Sequence, residues 1–261
     1  MIDLHNHSYF SPDSEAPLEG IVAKALREGL SIIGISDHDD LDTSFSFSYR
    51  LKDLPAYMES LSRLKNDSPL KVLTGLEVGI QSAVNTPPEG DFDYFIYSVH
   101  GVPGLTDINA SDIWTLYLEE AIEAVREFEV PGFFGHIDFL RRYISGHRPL
   151  DNSMLLSELL KKLILYNIGI EINTSGWRAP YNEPSPQPWI IEKYLELGGR
   201  YVTIGSDSHR VEDVGSYVQR AIDLLKRLGA KEIFYCENKN YRSISISERE
   251  FGNSVSSSSS R

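Results

Sequence analysis

The amino-acid sequence predicts an α/β protein built as a closed (β/α) barrel of parallel strands. Short apolar runs alternate with amphipathic helical segments, and seven or eight such units fit within the 261 residues of the chain. The apolar runs are continuous rather than alternating with polar residues, which is typical of parallel sheets buried on both faces. This number of units favours a closed barrel. An open doubly wound sheet is the alternative, although the chain has neither a Gly-x-Gly-x-x-Gly nor a Walker-type loop.

The apolar runs are predicted as strands because they are short, lack a helical period and end in polar residues. One short run precedes His5, and the others lie at 31–36, 71–76, 94–99, 131–135, 169–172, 201–205 and 232–236. Because parallel strands of a barrel end on the same face, the polar residues that follow these runs are expected to lie close together.

The segments between the strands have apolar residues three and four positions apart, which predicts amphipathic helices. These helices are expected at 17–29, 57–65, 114–128, 155–166, 189–197 and 214–228. Pro17 suits the first turn of a helix, and Gly29 suits a helix C-terminus. Glu120 is expected on the solvent side of its helix. We predict one domain over residues 1–251, followed by a flexible serine-rich tail over 252–261.

The composition argues against several classes of protein. The single cysteine, Cys236, excludes an internal disulfide framework and a thiolate metal cage, and it fits a reducing cytoplasm. The sequence shows no secretory signal and no apolar run of the ~18 residues that a membrane span needs. The formal charge of −13 argues against sequence-independent binding of nucleic acid. We therefore expect a cytoplasmic protein without nucleic-acid or membrane partners, either a monomer or a small homo-oligomer.

Most of the histidines stand at or just after the end of a predicted strand. Six of the seven do so, with two carboxylates in similar positions: His5, His7, His38, His100, His136, His209, Glu77 and Asp207. A lone histidine in such a place is usually an ordinary hydrogen-bonding loop residue. Coincidence of imidazole and carboxylate groups at six strand ends instead predicts a site for several metal ions, since these are ligands that Zn, Mn and Fe accept.

The same residues form a series of motifs that resembles the polymerase-and-histidinol-phosphatase (PHP) family of metal-dependent phosphoesterases. The matching motifs are Asp3-Leu4-His5-Asn6-His7 with Asp13 beyond it, Ser36-Asp37-His38, Gly75-Leu76-Glu77, Ser98-Val99-His100, Gly135-His136-Ile137-Asp138 and Gly205-Ser206-Asp207-Ser208-His209. They span nearly the whole predicted barrel in the order in which the family has them.

This resemblance implies a single-domain, distorted (β/α)7 barrel with three divalent metal ions. One ion is expected at His5, His7, Glu77 and Asp207, a second at Glu77, His100 and His136, and a third at Asp13, His38 and His209. Some relatives have histidine where this chain has Asp13. The donor set does not distinguish Zn, Mn and Fe.

The resemblance also implies hydrolysis of a small phosphorylated substrate by hydroxide at the trinuclear centre. Three divalent ions bring roughly +6 and three carboxylates about −3, so the site is expected to attract a phosphate dianion. Segments around Asp138, Trp177 and Asp213 are most similar to the family members that hydrolyse histidinol phosphate, an enzyme activity of histidine biosynthesis. We expect direct hydrolysis without a phospho-enzyme.

Several further side chains are candidates for roles in such a reaction. Those expected to bind phosphate are Arg178, Arg210 and one of Arg141 or Arg142, because guanidinium matches phosphate oxygens. Those expected to act in catalysis are Asp207, His209 and Asp138, with Asp207 or Asp138 moving the leaving-group proton. Asp37 is expected to orient a ligand histidine. The aromatic segment 41–49 is either an edge strand or a lid, and His147 is expected in an ordinary loop.

Three other functions are considered beside the hydrolysis of histidinol phosphate. A PHP phosphoesterase could act on another small phosphate, such as a nucleotide or sugar phosphate. A non-catalytic PHP module is disfavoured because the ligand set is complete. A metal-dependent amidohydrolase would normally have a lysine at a strand end, and the chain has none there.

Overall fold

Parallel strands form the centre of the molecule. The computed structural model describes residues 1–45 and 48–246, so the predicted tail at 252–261 lies outside the described residues. The parallel strands are β1 Ile2–Asp3, β2 Ile32–Ile35, β3 Lys71–Thr74, β4 Glu77–Gly79, β5 Phe95–Ser98, β6 Gly132–Phe134, β7 Gly169–Asn173 and β8 Val202–Gly205. They form one sheet in the order β1-β2-β3 and another in the order β4-β5-β6-β7-β8.

Backbone contacts join these two sheets on both sides. Between β1 and β8, the amide of Leu4 donates to the carbonyl of Ile204 at 2.9 Å, and Asn6 forms a parallel bridge with Ser208. On the other side, β3 and β4 lie along one stretch of chain, and His38 after β2 bridges to Glu77 at the start of β4. The strands therefore close into a ring of seven strand positions, as the sequence predicted.

Gly75, between β3 and β4, makes room for a tyrosine inside the ring. A Cβ at Gly75 would lie 2.4 Å from the ring of Tyr94. Tyr94 is fully buried, and its hydroxyl donates to the carbonyl of Leu4 at 2.5 Å. Because protein interiors are close-packed, the Tyr94 ring fits inside the barrel only if position 75 has no side chain, as glycine provides. This close approach accounts for the interruption of the predicted strand 71–76.

Within residues 1–45 and 48–246, six α-helices lie outside the strands, near the predicted positions. They are α1 Leu18–Arg27, α2 Leu54–Asp67, α3 Ile113–Ala124, α4 Ser153–Leu165, α5 Pro188–Glu196 and α6 Val218–Arg227. Asp53 and Asn152 cap α2 and α4 by accepting hydrogen bonds from backbone amides of the first turn. Helix α6 begins later than predicted because Gly215 and Tyr217 have φ values of +74° and +60°. Of the described helices, none has both the length and the apolar character needed to span a membrane.

Two sequence predictions about individual elements were wrong. Glu120 on α3 is buried, because its carboxylate accepts hydrogen bonds from the amide and hydroxyl of Ser82. The strand β9, Glu232–Glu237, pairs with an unpredicted antiparallel strand, β10, Asn240–Ser245. Asn238 and Lys239 between them both have positive φ, as in a type I′ hairpin. Lysine is uncommon in that conformation, so this turn could not be predicted from its residues.

Candidate metal centre

The Glu77 carboxylate lies at the centre of the predicted ligand set. Its side chain is only 1% exposed, at the start of β4. Its Oε2 atom lies 3.1, 3.4 and 3.0 Å from nitrogens of His5, His7 and His38, and its Oε1 atom lies 3.2 and 2.8 Å from Nε2 of His100 and His136. Five histidines from separate parts of the chain thus surround one carboxylate, as expected if the strand ends converge.

Asp207 completes the first predicted ligand group, beside His5 and His7. Its Oδ1 atom lies 3.8 Å from Nε2 of His5 and 3.5 Å from Nε2 of His7. Asp207 has a φ of +54°, a left-handed conformation that aspartate tolerates better than most residues. Its amide donates to the carbonyl of His5 at 2.8 Å. This turn at the end of β8 therefore brings its carboxylate to the histidines that follow β1.

The second predicted group is built around Oε1 of Glu77. His100, after β5, and His136, after β6, both direct Nε2 at this oxygen. The hydroxyl of Ser98 donates to the same oxygen at 2.8 Å. Because β4, β5 and β6 are adjacent in the sheet, the side chains that follow them meet at one point.

The third predicted group lies nearer to solvent. Oδ2 of Asp13 is 3.0 Å from Nε2 of His209 and 3.5 Å from Nε2 of His38. The side chains of Asp13 and His209 are 23% and 30% exposed. The nine predicted ligands therefore lie in one cluster. Two sets of close ligand atoms, His7-His38-His209 and His38-Glu77-His100, combine residues that the resemblance assigns to different ions.

The spacing and chemistry of these atoms fit divalent ions. A tetrahedral ion with ligand bonds of about 2.0–2.1 Å has its ligand atoms roughly 3.3 Å apart, and the distances within the groups run from 2.8 to 3.8 Å. Among the described residues, Nε2 of His5, Nε2 of His7 and Oε2 of Glu77 are buried without a hydrogen-bond partner. Such atoms cost free energy when buried, and bound metal would satisfy them. His5, His7 and Glu77 form one of three sets whose ligand atoms are close enough to hold an ion.

The carboxylates and histidines also alter one another's pKa values. Burial would raise the pKa of Glu77, but the charges of His5, His38 and His100 outweigh this and hold it well below its usual range. Burial would lower the pKa of His100, but Asp40 and Glu77 outweigh it and raise that pKa to about 10. Burial instead lowers the pKa of His7 and of His136, so the imidazoles of the centre differ in charge.

Of the four candidate arginines, Arg142 lines the cavity above the ligands. The cavity has a volume of about 140 Å³ and is lined by Asp13, His38, Tyr49, Glu77, His100, His136, Phe139, Arg142, Tyr143, Asp207 and His209. Nη2 of Arg142 donates to Oδ2 of Asp207 and to Oγ of Ser175, both at 2.7 Å. Arg142 is thus the cation placed beside the predicted ligands.

The other three arginines have different surroundings and do not line this cavity. Arg178 donates to the backbone carbonyls of Ser206 and Asp207 at 3.0 and 3.1 Å, so it supports the end of β8 from behind. Arg141 pairs with Glu183 at 2.7 Å and stacks on Tyr181. The Arg210 side chain is 76% exposed. The positions of the four arginines in the sequence did not distinguish Arg142 from the other three.

Asp138 and Asp37 support loops rather than line the cavity. Asp138 is 2% exposed, and its carboxylate accepts hydrogen bonds from the hydroxyl of Ser185 and from the amide of Gln187. The Asp37 carboxylate accepts from the amide and hydroxyl of Ser8 at 2.6 and 2.7 Å, instead of contacting a ligand histidine as we expected. Both side chains are occupied because local turns present backbone amides to them.

The remaining candidates are placed as follows. His147 lies in a short turn with its ring against Tyr181, outside the cavity lining, which matches the expected loop role. Of the segment 41–49, residues 46 and 47 lie outside the described residues. Tyr49 lines the cavity, and no described residue of the segment belongs to a strand. The edge-strand interpretation is therefore wrong for the described part of this segment.

Two buried carboxylates in contact with ligand histidines were not predicted. Oε1 of Glu171 lies 2.6 Å from Nδ1 of His5, and Oδ1 of Asp40 lies 2.8 Å from Nδ1 of His100. Glu171 is in the middle of β7, where a charged residue interrupts an apolar strand, and this was the available signal. Asp40 follows Asp37 and Asp39 in the run Asp37-His38-Asp39-Asp40, and nothing in the sequence distinguished it from these two aspartates.

The chain is similar over most of its length to histidinol-phosphatases of known sequence and structure. The chain is 29% identical over 253 residues to the histidinol-phosphatase of Lactococcus lactis, covering 89% of this chain and 93% of that one. It is 28% identical over 252 residues to a probable histidinol-phosphatase of Clostridium acetobutylicum, covering 90% and 96%. The crystal structure of the Lactococcus lactis histidinol phosphate phosphatase, in complex with zinc, L-histidinol and phosphate, superposes with a TM-score of 0.75 at 26% identity, over 92% of this chain and 98% of that one.

A family model also matches the chain directly. The model of the PHP domain aligns with residues 3–175, which is well over half of the 261 residues. The matched range contains seven of the nine predicted ligands, from His5 to His136. The chain belongs to the PHP domain family.

Proposed function

We propose that this protein is a metal-dependent phosphomonoesterase that hydrolyses L-histidinol phosphate to L-histidinol and phosphate. The observation that carries the proposal is the convergence of the nine predicted ligand side chains, Glu77 among them, in one cluster, with Arg142 beside Asp207. The choice of substrate is supported by the relatives, a histidinol-phosphatase and a probable histidinol-phosphatase, because the similarity to this chain covers 93% and 96% of their lengths.

We propose three divalent ions, held by the three ligand groups described above. Zinc is bound in the Lactococcus lactis enzyme, and the same nitrogen and oxygen donors also suit Mn and Fe. When bound, such ions neutralise phosphate charge and lower the pKa of coordinated water towards ~7. The domain proposed for this chemistry is residues 1–251, as a monomer or small homo-oligomer.

Arg142 is proposed to grip the phosphate. Its hydrogen bonds to described residues all use Nη2, with Asn173, Ser175 and Asp207 as acceptors. None of these three hydrogen bonds uses Nε or Nη1, and the guanidinium plane matches two phosphate oxygens. The contact with Asp207 fixes the arginine without consuming these donors.

Asp207 is proposed as an anionic ligand rather than a proton donor. Burial would raise its pKa, but Arg142 and His5 outweigh this and hold the pKa well below its usual range. It therefore carries no proton to give at neutral pH. Asp138 is not proposed for catalysis, because its carboxylate is engaged with Ser185 and Gln187. His209 is proposed as a ligand at the solvent side of the centre.

The organic part of the substrate is proposed to lie against the aromatic rings of the cavity. Tyr49, Phe139 and Tyr143 line this cavity, and rings of this kind pack against an imidazole in stacked or edge arrangements. This extends the predicted role of segment 41–49, of which Tyr49 is part.

The proposal is tested by phosphate release from L-histidinol phosphate beside a panel of nucleotides and sugar phosphates. The protein is first freed of metal by chelation, and Zn, Mn or Fe is then restored. We expect activity to depend on restored metal and to favour histidinol phosphate by at least about tenfold in kcat/KM, the effect of ~1.4 kcal/mol. Comparable rates on every ester would refute the substrate, and no hydrolysis of any ester by the metal-loaded protein would refute the phosphatase.

A further inference from the structure

Two fully buried carboxylates stand directly behind two of the ligand histidines. Glu171 and Asp40 are both 0% exposed. Each lies within 2.8 Å of the Nδ1 atom of a histidine whose Nε2 atom faces Glu77, namely His5 for Glu171 and His100 for Asp40. Glu171 lies on β7 and Asp40 lies in the segment that follows β2, yet the two arrangements are built in the same way.

A glycine makes room for each carboxylate. A Cβ at Gly205 would lie 2.1 Å from Oε1 of Glu171, and a Cβ at Gly79 would lie 1.7 Å from Oδ1 of Asp40. Both distances are shorter than any van der Waals contact, so an alanine could not occupy either position without moving the acid. The neighbouring strands therefore leave space at the two points where these oxygens meet the histidines.

Neither carboxylate is neutralised by a lysine or arginine side chain in the described part of the chain. Besides His5, Glu171 accepts hydrogen bonds from the amide of His136 at 3.3 Å and from the side chain of Asn173 at 3.1 Å. The other oxygen of Asp40 accepts from the amide of Tyr49. Burying a carboxylate costs several kcal/mol, and a sheet built for stability alone would use an apolar residue at these positions.

We infer that Glu171 and Asp40 are positioning residues that prepare His5 and His100 to bind metal. Each accepts the Nδ1–H of its histidine, which leaves Nε2 as the nitrogen that would lose its proton and bind metal, and holds the ring with Nε2 facing Glu77. Carboxylate partners of this kind raise the basicity of ligand histidines. The inference rests on the metal centre proposed above, but not on the choice of substrate.

The two residues act on different ligand groups. Glu171 supports the first group through His5, and Asp40 supports the second through His100. His38 differs, because its Nδ1 faces Glu77 and its Nε2 faces Asp13, so both of its nitrogens lie within the centre. Loss of either acid should therefore weaken one ion more than the others.

The test uses the isosteric variants Glu171→Gln and Asp40→Asn in the full-length protein, with Asp93→Asn as a matched control. Asp93 is also a buried carboxylate, but its partners are the amide of Thr74 and the ammonium of Lys65. Zinc binding to metal-free protein is measured by calorimetry against a competing chelator. Tautomers of the histidine rings are measured by nitrogen-15 NMR, and folding is checked by thermal unfolding.

We expect Glu171→Gln and Asp40→Asn each to weaken one zinc equivalent by about 10- to 100-fold, the usual effect of losing such a partner. We also expect each to alter the tautomer signal of its own histidine. Asp93→Asn should lower the unfolding temperature without changing zinc binding. Unchanged zinc affinity and tautomers in both folded variants would overturn the inference, as would failure of both variants to fold, since the acids would then serve the fold. Absence of zinc binding by the unaltered protein would instead refute the metal centre itself.

Discussion

Replacement of Arg142 by alanine should impair phosphate binding more than replacement of any other candidate arginine. Arg142 alone among Arg141, Arg142, Arg178 and Arg210 lines the cavity with the ligands. Its Nη2 atom is fixed by Asp207 and Ser175 at 2.7 Å. The guanidinium is therefore held in place before substrate arrives, which reduces the entropy lost on binding.

The size of the effect follows from the hydrogen bonds that are lost. A hydrogen bond to a charged group contributes about 1.5–3 kcal/mol, so loss of one such bond to phosphate lowers kcat/KM by roughly 10- to 150-fold. Arg142→Lys should recover only part of this loss, because an ammonium lacks the planar pair of donors.

Arg178→Ala should mainly reduce stability. It removes two hydrogen bonds to the backbone carbonyls of Ser206 and Asp207. A typical hydrogen bond contributes about 0.5–1.5 kcal/mol to stability, and a bond from a charged donor such as arginine contributes more. At about 2–4 °C per kcal/mol for a chain of this size, the unfolding temperature should fall by several degrees. Arg210→Ala is the matched control, because the side chain is 76% exposed.

The assay compares initial rates of phosphate release and the inhibition constant of inorganic phosphate, with metal content verified for every variant. The inhibition constant reports binding of phosphate itself, so it separates Arg142 from residues that act only through stability. An inhibition constant for Arg142→Ala within about threefold of the unaltered protein, together with a large increase for Arg178→Ala, would refute our assignment. The threefold limit corresponds to ~0.65 kcal/mol, which is below the weakest charged hydrogen bond considered.

Three further predictions concern the metal centre. His38→Ala should abolish nearly all phosphatase activity and lower the bound metal measured by mass spectrometry, because His38 contacts both Asp13 and Glu77; full activity would contradict a three-ion centre. Metal binding at pH 8 should release protons, because neighbouring carboxylates outweigh burial and raise the pKa of His5 well above 6.5 and that of His100 to about 10, whereas a ligand imidazole must be neutral. Metal affinity should therefore increase with pH. Calorimetry in buffers of different ionisation enthalpy measures the protons released, and detection of none would disprove this prediction. Gly79→Ala should displace Asp40 and lower both the unfolding temperature and metal affinity, because the added Cβ would lie 1.7 Å from its oxygen; unchanged values for both would show that the acid has room to move.

The sequence was sufficient to predict the ligands of the metal centre because parallel strands of a barrel end on one face. His5, Glu77, His100 and His136 are separated by up to 131 residues in the chain, yet each follows or begins a continuous apolar strand. Strand periodicity and order are local properties of the sequence, so the position of each ligand could be inferred without knowing its neighbours.

The helices and most strands were predictable for the same reason. Their boundaries differed where backbone conformation depended on packing between distant residues. Gly75 interrupts the predicted strand only because Tyr94 passes beside it, and α6 starts late because Gly215 and Tyr217 take positive φ. The hairpin to β10 was missed because its turn, Asn238-Lys239, lacks the glycine that usually marks it.

By itself, then, the sequence determined the fold class and was enough to propose the set of metal ligands, whereas the tertiary structure decided which other charged residues lie beside them. Arg142 and Arg178 were equivalent candidates in the chain, but one faces the cavity and the other holds the carbonyls behind it. Glu171 and Asp40 acquire their proposed roles from His5 and His100, which come from other strands. The physical reason is that a side chain's partners depend on how neighbouring strands pack around it, and the local sequence carries no record of those neighbours.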